Sequence, residues 1–183
     1  MTKSQYQSVA RDVMTKNYET WLAGDHQGWR DTFHDDVTFV IEPQGAFTVP
    51  WCGVYVGFDT VNTFNEVMTS CMLWDHDKIF YGHFKPNSAD PENSNLCELD
   101  VNVVGTFAPT GNKFDFWMHY YVEARDASLY RLLKTFDVSE VSRQFWGSSQ
   151  LPVGQALDAL KINQMSSKDL PLTIESSLNT RWQ

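Results

Sequence analysis

The chain has 183 residues, a length that argues for one domain able to bury about 70% of its unfolded surface. A 42% hydrophobic and 14% aromatic content, with seven Trp, seven Tyr and twelve Phe, excludes a disordered chain. Fourteen Lys and Arg against 23 Asp and Glu leave a net charge of −9; no positive field exists to gather phosphates or anionic headgroups, so neither nucleic acid nor a membrane is expected as a partner.

In chain order, Val9, Val13, Tyr18, Trp21 and Leu22 recur on one face of an amphipathic helix that Gly24 ends. A second short helix, HQGWRDTFH, is expected to turn Trp29 and Phe33 inward before the β-branched strand VTFVI, which stops at Glu42 and Pro43. A short extended piece lies between Gly53 and Gly57. Asp59 is the expected N-cap of a third helix that buries Val61, Phe64, Met68 and Cys71.

From residue 72 the period changes from 3.6 to 2. Strands are expected over MLWDHDKIFYGHF, LCELDVNVVGTF, KFDFWMHYYVEA and SLYRLLKTFDV, separated by turn-rich segments. Three helices before a mostly antiparallel sheet predict an α+β fold, with the helices packed on one face of a curved sheet. The strand over 114–124 has bulky side chains on both faces: Phe116, Met118 and Tyr120 on one, Trp117, His119 and Tyr121 on the other. Helices cover one face, and a second copy of the sheet is the expected cover of the other, which makes the chain a homodimer.

The stretch LPVGQALDALKINQM predicts a further helix carrying Leu157, Leu160 and Ile162, so the chain divides into a domain over 1–146 and a C-terminal extension over 147–183. No apolar run reaches the ~18 residues of a membrane span, and MTKSQYQSVARDVM lacks the apolar core of a signal peptide. Cys52, Cys71 and Cys97 form neither a disulfide framework nor a zinc spacing. A cytoplasmic protein with reduced thiols is expected.

Four pieces, YETWLAGDHQGWRDTFHDDVTFVIEP, PWCGVYVGFDTVNTF, FWMHYYVEARDASLYRLLKTFD and SEVSRQF, resemble in their order and spacing the nuclear transport factor 2-like superfamily, especially its SnoaL-like polyketide cyclase and ketosteroid isomerase-like branches. The resemblance spans roughly residues 8–146 and implies a cone of three helices and a strongly bent sheet whose open end admits a small apolar or aromatic ligand. Members range from isomerases and cyclases to non-catalytic binding modules, so the fold leaves the chemistry to the residues.

The resemblance implies roles for several side chains. Glu42, in an acid-Pro pair, stands where the isomerase-like branch places its proton-shuttling carboxylate; the bland alternative is a strand-end acid in water. His119 stands where a pocket histidine or protonated acid serves the substrate oxygen, against a core histidine satisfied by a neighbour. Trp117, two residues earlier, shares its face and is expected in the pocket wall. Tyr18 and Tyr55 are candidate ligand-contacting phenols, with buried packing as the alternative. Asp137 matches the acid closing the last strand and is a ligand-binding candidate or a structural group. The cyclase-like branch has its essential acid three residues before that position, where this chain has Lys134; an ammonium cannot serve as the same base.

Asp75, His76, Asp77 and His83 cannot share one coordination sphere on a strand, so a solvated edge is expected there rather than a metal. Glu98, Asp100 and Asn102 alternate on one strand face, facing either solvent or the cone. Neither a nucleophile elbow nor a phosphate or dinucleotide loop is present, which leaves chemistry without a cofactor. The expected function is a cofactor-free enzyme that isomerises, cyclises, dehydrates or hydrates a small apolar carbonyl compound, with a non-catalytic binding or dimerising module of the same fold as the alternative.

Overall fold

A computed structural model describes residues 7–44 and 52–147, with the backbone alone for 42–44, 80 and 81. Helix α1 (Val9–Leu22) starts where the Ser8 hydroxyl accepts a hydrogen bond from the Arg11 N–H at 3.1 Å, and it buries Ala10, Val13, Met14 and Asn17 at three- and four-residue spacing. Helix α2 (His26–Arg30) is capped by Asp25, which accepts from the Gly28 N–H at 2.9 Å. It is shorter than the expected 26–34. The chain leaves the helix because Phe33 pairs with Leu129 to open strand β1 (Phe33–Gln44), while its ring still packs inward against Trp29, 4.8 Å away.

Strand β2 (Gly53–Val56) folds back antiparallel on β1. Gly57, at φ 80°, then reverses the chain and is the N-cap of helix α3 (Phe58–Cys71), so the expected cap Asp59 lies in the first turn instead. The buried face of α3 is the expected one, Val61, Phe64, Met68 and Cys71.

The single strand expected over 72–84 is broken into β3 (Met72–Trp74), a 3-10 turn (His76–Lys78), β4 (Phe80–Tyr81) and, just after it, β5 (Lys85–Pro86). All three short strands pair with the 12-residue β6 (Leu96–Phe107), one after another along its length. Gly105 makes the first of these pairings possible, since a Cβ there would stand 2.4 Å from the Leu73 carbonyl oxygen. Strand β7 (Asn112–Arg125) and strand β8 (Ser128–Asp137) follow, joined by a tight turn with Asp126 and Ala127 at φ 50° and 57°. Helix α4 (Val138–Trp146) closes the described chain; the tail helix expected over 151–165 lies outside the described residues.

The sheet order is β2-β1-β8-β7-β6-β3, with β1 and β8 parallel and the other pairs antiparallel. Its inner face is lined by Phe39, Ile41, Leu99, Val101, Phe116, Tyr120 and Leu132, all buried, under α1 and α3. Helix α4 packs on β7, with Phe145 stacked on Phe107 at 4.2 Å. This is the expected α+β arrangement, a curled mixed sheet with helices on its concave side. Among the described residues no helix is long and apolar enough to cross a membrane.

Candidate functional site

Where α1 and α3 close over the concave face, a cavity of about 80 Å³ remains. Helix α1 contributes Met14, Asn17, Tyr18 and Trp21, one face of two successive turns, and the sheet contributes Phe39, Val101, Val103, Tyr120, Leu132 and Lys134. Asn17 is fixed by donating to the Thr32 hydroxyl at 2.7 Å, which itself donates to the Trp29 carbonyl at 2.6 Å. Trp74 and Asn65 complete the polar part of the wall; the buried indole N–H of Trp74 has no acceptor among the described residues.

Lys134 is the one lining residue with an aliphatic amine. It pairs with Tyr120 on one side and Ile41 on the other, so it lies in the middle of the sheet. Its Nζ stands 5.0 Å from the ring centroid of Tyr120, 5.3 Å from that of Phe39 and 6.0 Å from that of Phe64. The described lining contains no carboxylate. Burial away from water disfavours the ammonium and pushes the pKa down from 10.5 to about 8.

The other sequence-predicted residues are distributed on both sides of the sheet. Tyr18 lines the cavity, its ring 6.5 Å from that of Tyr120. Tyr55 is buried outside it, packed on Phe64 at 4.6 Å; burial, and then the nearby Cys52, push its phenol pKa up. Trp117 is 54% exposed, and it and His119 project from the face opposite the cavity, not from its wall. The physical reason is strand parity: Tyr120 points into the cone, so its neighbours at 119 and 121 point out of it. Asp137 caps α4, accepting from the Ser139 and Glu140 N–H groups at 2.9 and 3.2 Å. Glu42 pairs through its backbone with Thr135, which pairs with His119, which pairs with Asp100. These four positions form one row across the sheet, with Glu42 about 10 Å from His119 at two strand spacings. The Glu42 side chain lies outside the described residues.

On the outer face His119 stands between two acids. Its Nδ1 hydrogen-bonds Asp100, and its Nε2 lies 3.5 Å from Glu98. Lys85 donates to Asp100 at 2.6 Å, and Glu98 accepts from the Ser88 N–H at 2.6 Å. Burial raises the Asp100 carboxyl, but hydrogen bonds from Lys85 and His119, and their charges, outweigh it and hold the pKa below the usual carboxylate range. The strand alternation of Glu98, Asp100 and Asn102 thus belongs to the outer face. A larger groove of about 800 Å³ runs between β3, the 3-10 turn and β7, but it is open; in it Lys78 pairs with Asp75 and Lys113 donates to the Thr106 hydroxyl, both at 2.6 Å. No group of His, Cys, Asp and Glu among the described residues is arranged to hold a metal. The three cysteines are free and buried; burial, and then Glu98, push Cys97 up to about 12.

Sequence reasoning noted Lys134 only as a departure from a family pattern. A signal was present, because Lys134 shares strand parity with Leu132 and Phe136, and a lysine at an inward position of an apolar strand is a buried charge.

No protein-family model matches the sequence, and no curated protein does either. Solved structures match by shape. A nuclear transport factor 2-like protein of Burkholderia pseudomallei superposes with a TM-score of 0.61 at 15% identity, covering 76% of this chain and 99% of that one. One of Burkholderia xenovorans superposes at 0.60 and 12%, covering 78% and 99%. A Mycobacterium tuberculosis protein solved in complex with estradiol-17beta-hemisuccinate superposes at 0.57 and 16%, covering 73% and 98%. Further matches carry provisional polyketide cyclase and isomerase names. At these identities the likeness is one of fold, and it agrees with the sequence motifs: the chain has the nuclear transport factor 2-like fold.

Proposed function

We propose that the cone cavity binds a small carbonyl compound and moves a proton on it without a cofactor, with Lys134 as the acid-base group. The observation that carries this reading is the enclosure of the Lys134 amine by the rings of Phe39, Phe64 and Tyr120, with no carboxylate in the described lining. An amine held this way finds its best partner in a ligand oxygen that gains negative charge as an adjacent C–H loses its proton, and it acts in a medium where that interaction is strong. The lowered pKa lets the same group accept or donate a proton near neutrality. This reading moves the acid-base role from His119 to Lys134, because the sheet itself separates His119 from the cavity.

Size narrows the ligand. A cavity of about 80 Å³ is roughly half the ~150 Å³ that encloses a benzene ring. The Mycobacterium tuberculosis neighbour was solved with a steroid ester, a far larger molecule than this cavity holds, so the substrate is a short aliphatic ketone or aldehyde. The outer face adds to the reading: exposed Trp117 and half-buried Tyr121, on the same face of β7, favour a homodimer through that face.

The test is exchange of α-protons for deuterium in small ketones, followed by NMR, for the parent and for Lys134→Met. The parent accelerates exchange and the variant does not. Binding of the ketones without exchange by the parent favours the non-catalytic module, and equal exchange by both proteins removes Lys134 from the chemistry.

A further inference from the structure

We infer that Lys134 acts on its ligand as a nucleophile, its Nζ condensing with a ketone or aldehyde carbonyl to form an imine in the cone cavity. The inference rests on the carbonyl-compound reading above and adds the covalent step. Its basis is an amine that reaches the floor of an aromatic-walled cavity, lies over three rings, and meets no carboxylate in the described lining. A carboxylate would hold the amine as an ion pair and occupy its lone pair as N–H; rings do neither once the proton has left. Burial supports the same state, since a pKa near 8 raises the free-amine fraction at neutral pH by about two orders of magnitude over an ordinary lysine.

The step balances without any further reagent. The Nζ lone pair forms a C–N bond to the carbonyl carbon as the C=O π pair moves to oxygen. One amine proton passes to that oxygen, which gives the carbinolamine. The nitrogen lone pair then forms C=N, the C–O bond breaks, and the second amine proton leaves with the hydroxyl as water. The neutral imine then takes one proton from solvent on its nitrogen, and this cation withdraws electrons from the neighbouring carbon more strongly than the parent carbonyl does, which makes its C–H easier to remove. The apolar wall of Phe39, Val101 and Leu132 limits the water that would reverse the condensation.

The experiment treats the full chain with butanone, a ketone of a size the cavity suggests, and traps any imine by adding sodium borohydride. Intact mass and peptide mapping then read the result, while intrinsic tryptophan fluorescence, which Trp21, Trp29 and Trp74 in the wall supply, reads binding. The expected result is one butyl group added per chain, on Lys134, with the exposed Lys78, Lys85 and Lys113 unmodified. Lys134→Met loses the adduct, but mapping on the parent decides the matter even if that variant does not fold. Saturable quenching by butanone with no adduct, or with adduct spread evenly over the exposed lysines, overturns the imine and leaves the carbonyl-binding reading standing. Neither quenching nor adduct overturns both.

Discussion

Lys134 and Tyr120 are cross-strand partners in the β7–β8 pair, and the lysine Nζ stands 5.0 Å from the tyrosine ring centroid on the concave side of the sheet. Directly behind them, on the convex side, His119 and Thr135 form the neighbouring pair of the same ladder. One step in register therefore separates an enclosed amine from a solvent-side imidazole held between two acids.

Replacing that amine by an isosteric apolar group is expected to stabilise the fold. Lys134→Met keeps the side-chain volume and removes a poorly solvated charge. The folded-state pKa of about 8 lies below the ordinary 10.5, so between these values the unfolded chain holds a proton that the folded chain lacks, and stability rises with pH across that window. The total is on the order of 3 kcal/mol. Urea unfolding of parent and variant measures it: the variant is more stable at pH 7, and the gap closes toward pH 10. Every other titrating group is common to both proteins, so the difference between the two curves isolates the lysine. A gap that does not change with pH would contradict the burial argument.

The outer network has its pH window at the acid end instead. The Asp100 carboxyl is held below its ordinary 3.8 by Lys85 and His119 against the effect of its burial. Stability from these contacts is present above pH 3.8 and is lost as pH falls through the lower folded-state value. In Lys85→Met the melting temperature is expected to lie slightly below that of the parent from pH 5 to 8, because the pair is partly exposed and screened. The difference narrows below pH 3.8. Melting curves at pH 3 and 6 check it, and a difference that widens in acid would reverse the assignment.

Asp137 serves the fold as a helix cap. Asp137→Ala leaves the Ser139 and Glu140 N–H groups without their acceptor and is expected to cost about 1 kcal/mol, while Asp137→Asn or Asp137→Ser recovers most of that. Ketone affinity should be the same in all four proteins. A selective loss of affinity in Asp137→Ala would return this residue to the ligand site.

Assembly is tested by mass. Light scattering is expected to give twice 21.1 kDa, about 42 kDa, at micromolar concentration. Trp117→Lys, which puts a charge in the centre of the outer face, should shift the mass toward the monomer without altering ketone binding in the cone. A parent that is monomeric at this concentration leaves the face to solvent.

The sequence alone determined the buried side of α3, the long strands β6, β7 and β8 and the α+β class, because these follow from periods of 3.6 and 2 that local spacing states directly. On α1 the expected face was rotated, since Val9 and Leu22 are exposed while Ala10, Met14 and Asn17 are buried. Val61, Phe64, Met68 and Cys71 are the buried side of α3 for that reason. The sequence also separated the β7 side chains into two sets, Phe116, Met118 and Tyr120 against Trp117, His119 and Tyr121. Which set faces the cone was decided by where α1 and α3 pack, a long-range contact that alternation cannot express, and so His119 was expected inside and stands outside. The break of residues 72–86 into three short strands came likewise from β6, whose full length they share as partners. Lys134 combines both levels: its inward parity is legible beside Leu132 and Phe136, but only the closure of helices over a curled sheet turns an inward lysine into an enclosed amine, because desolvation depends on every element around the group and not on its neighbours in the chain.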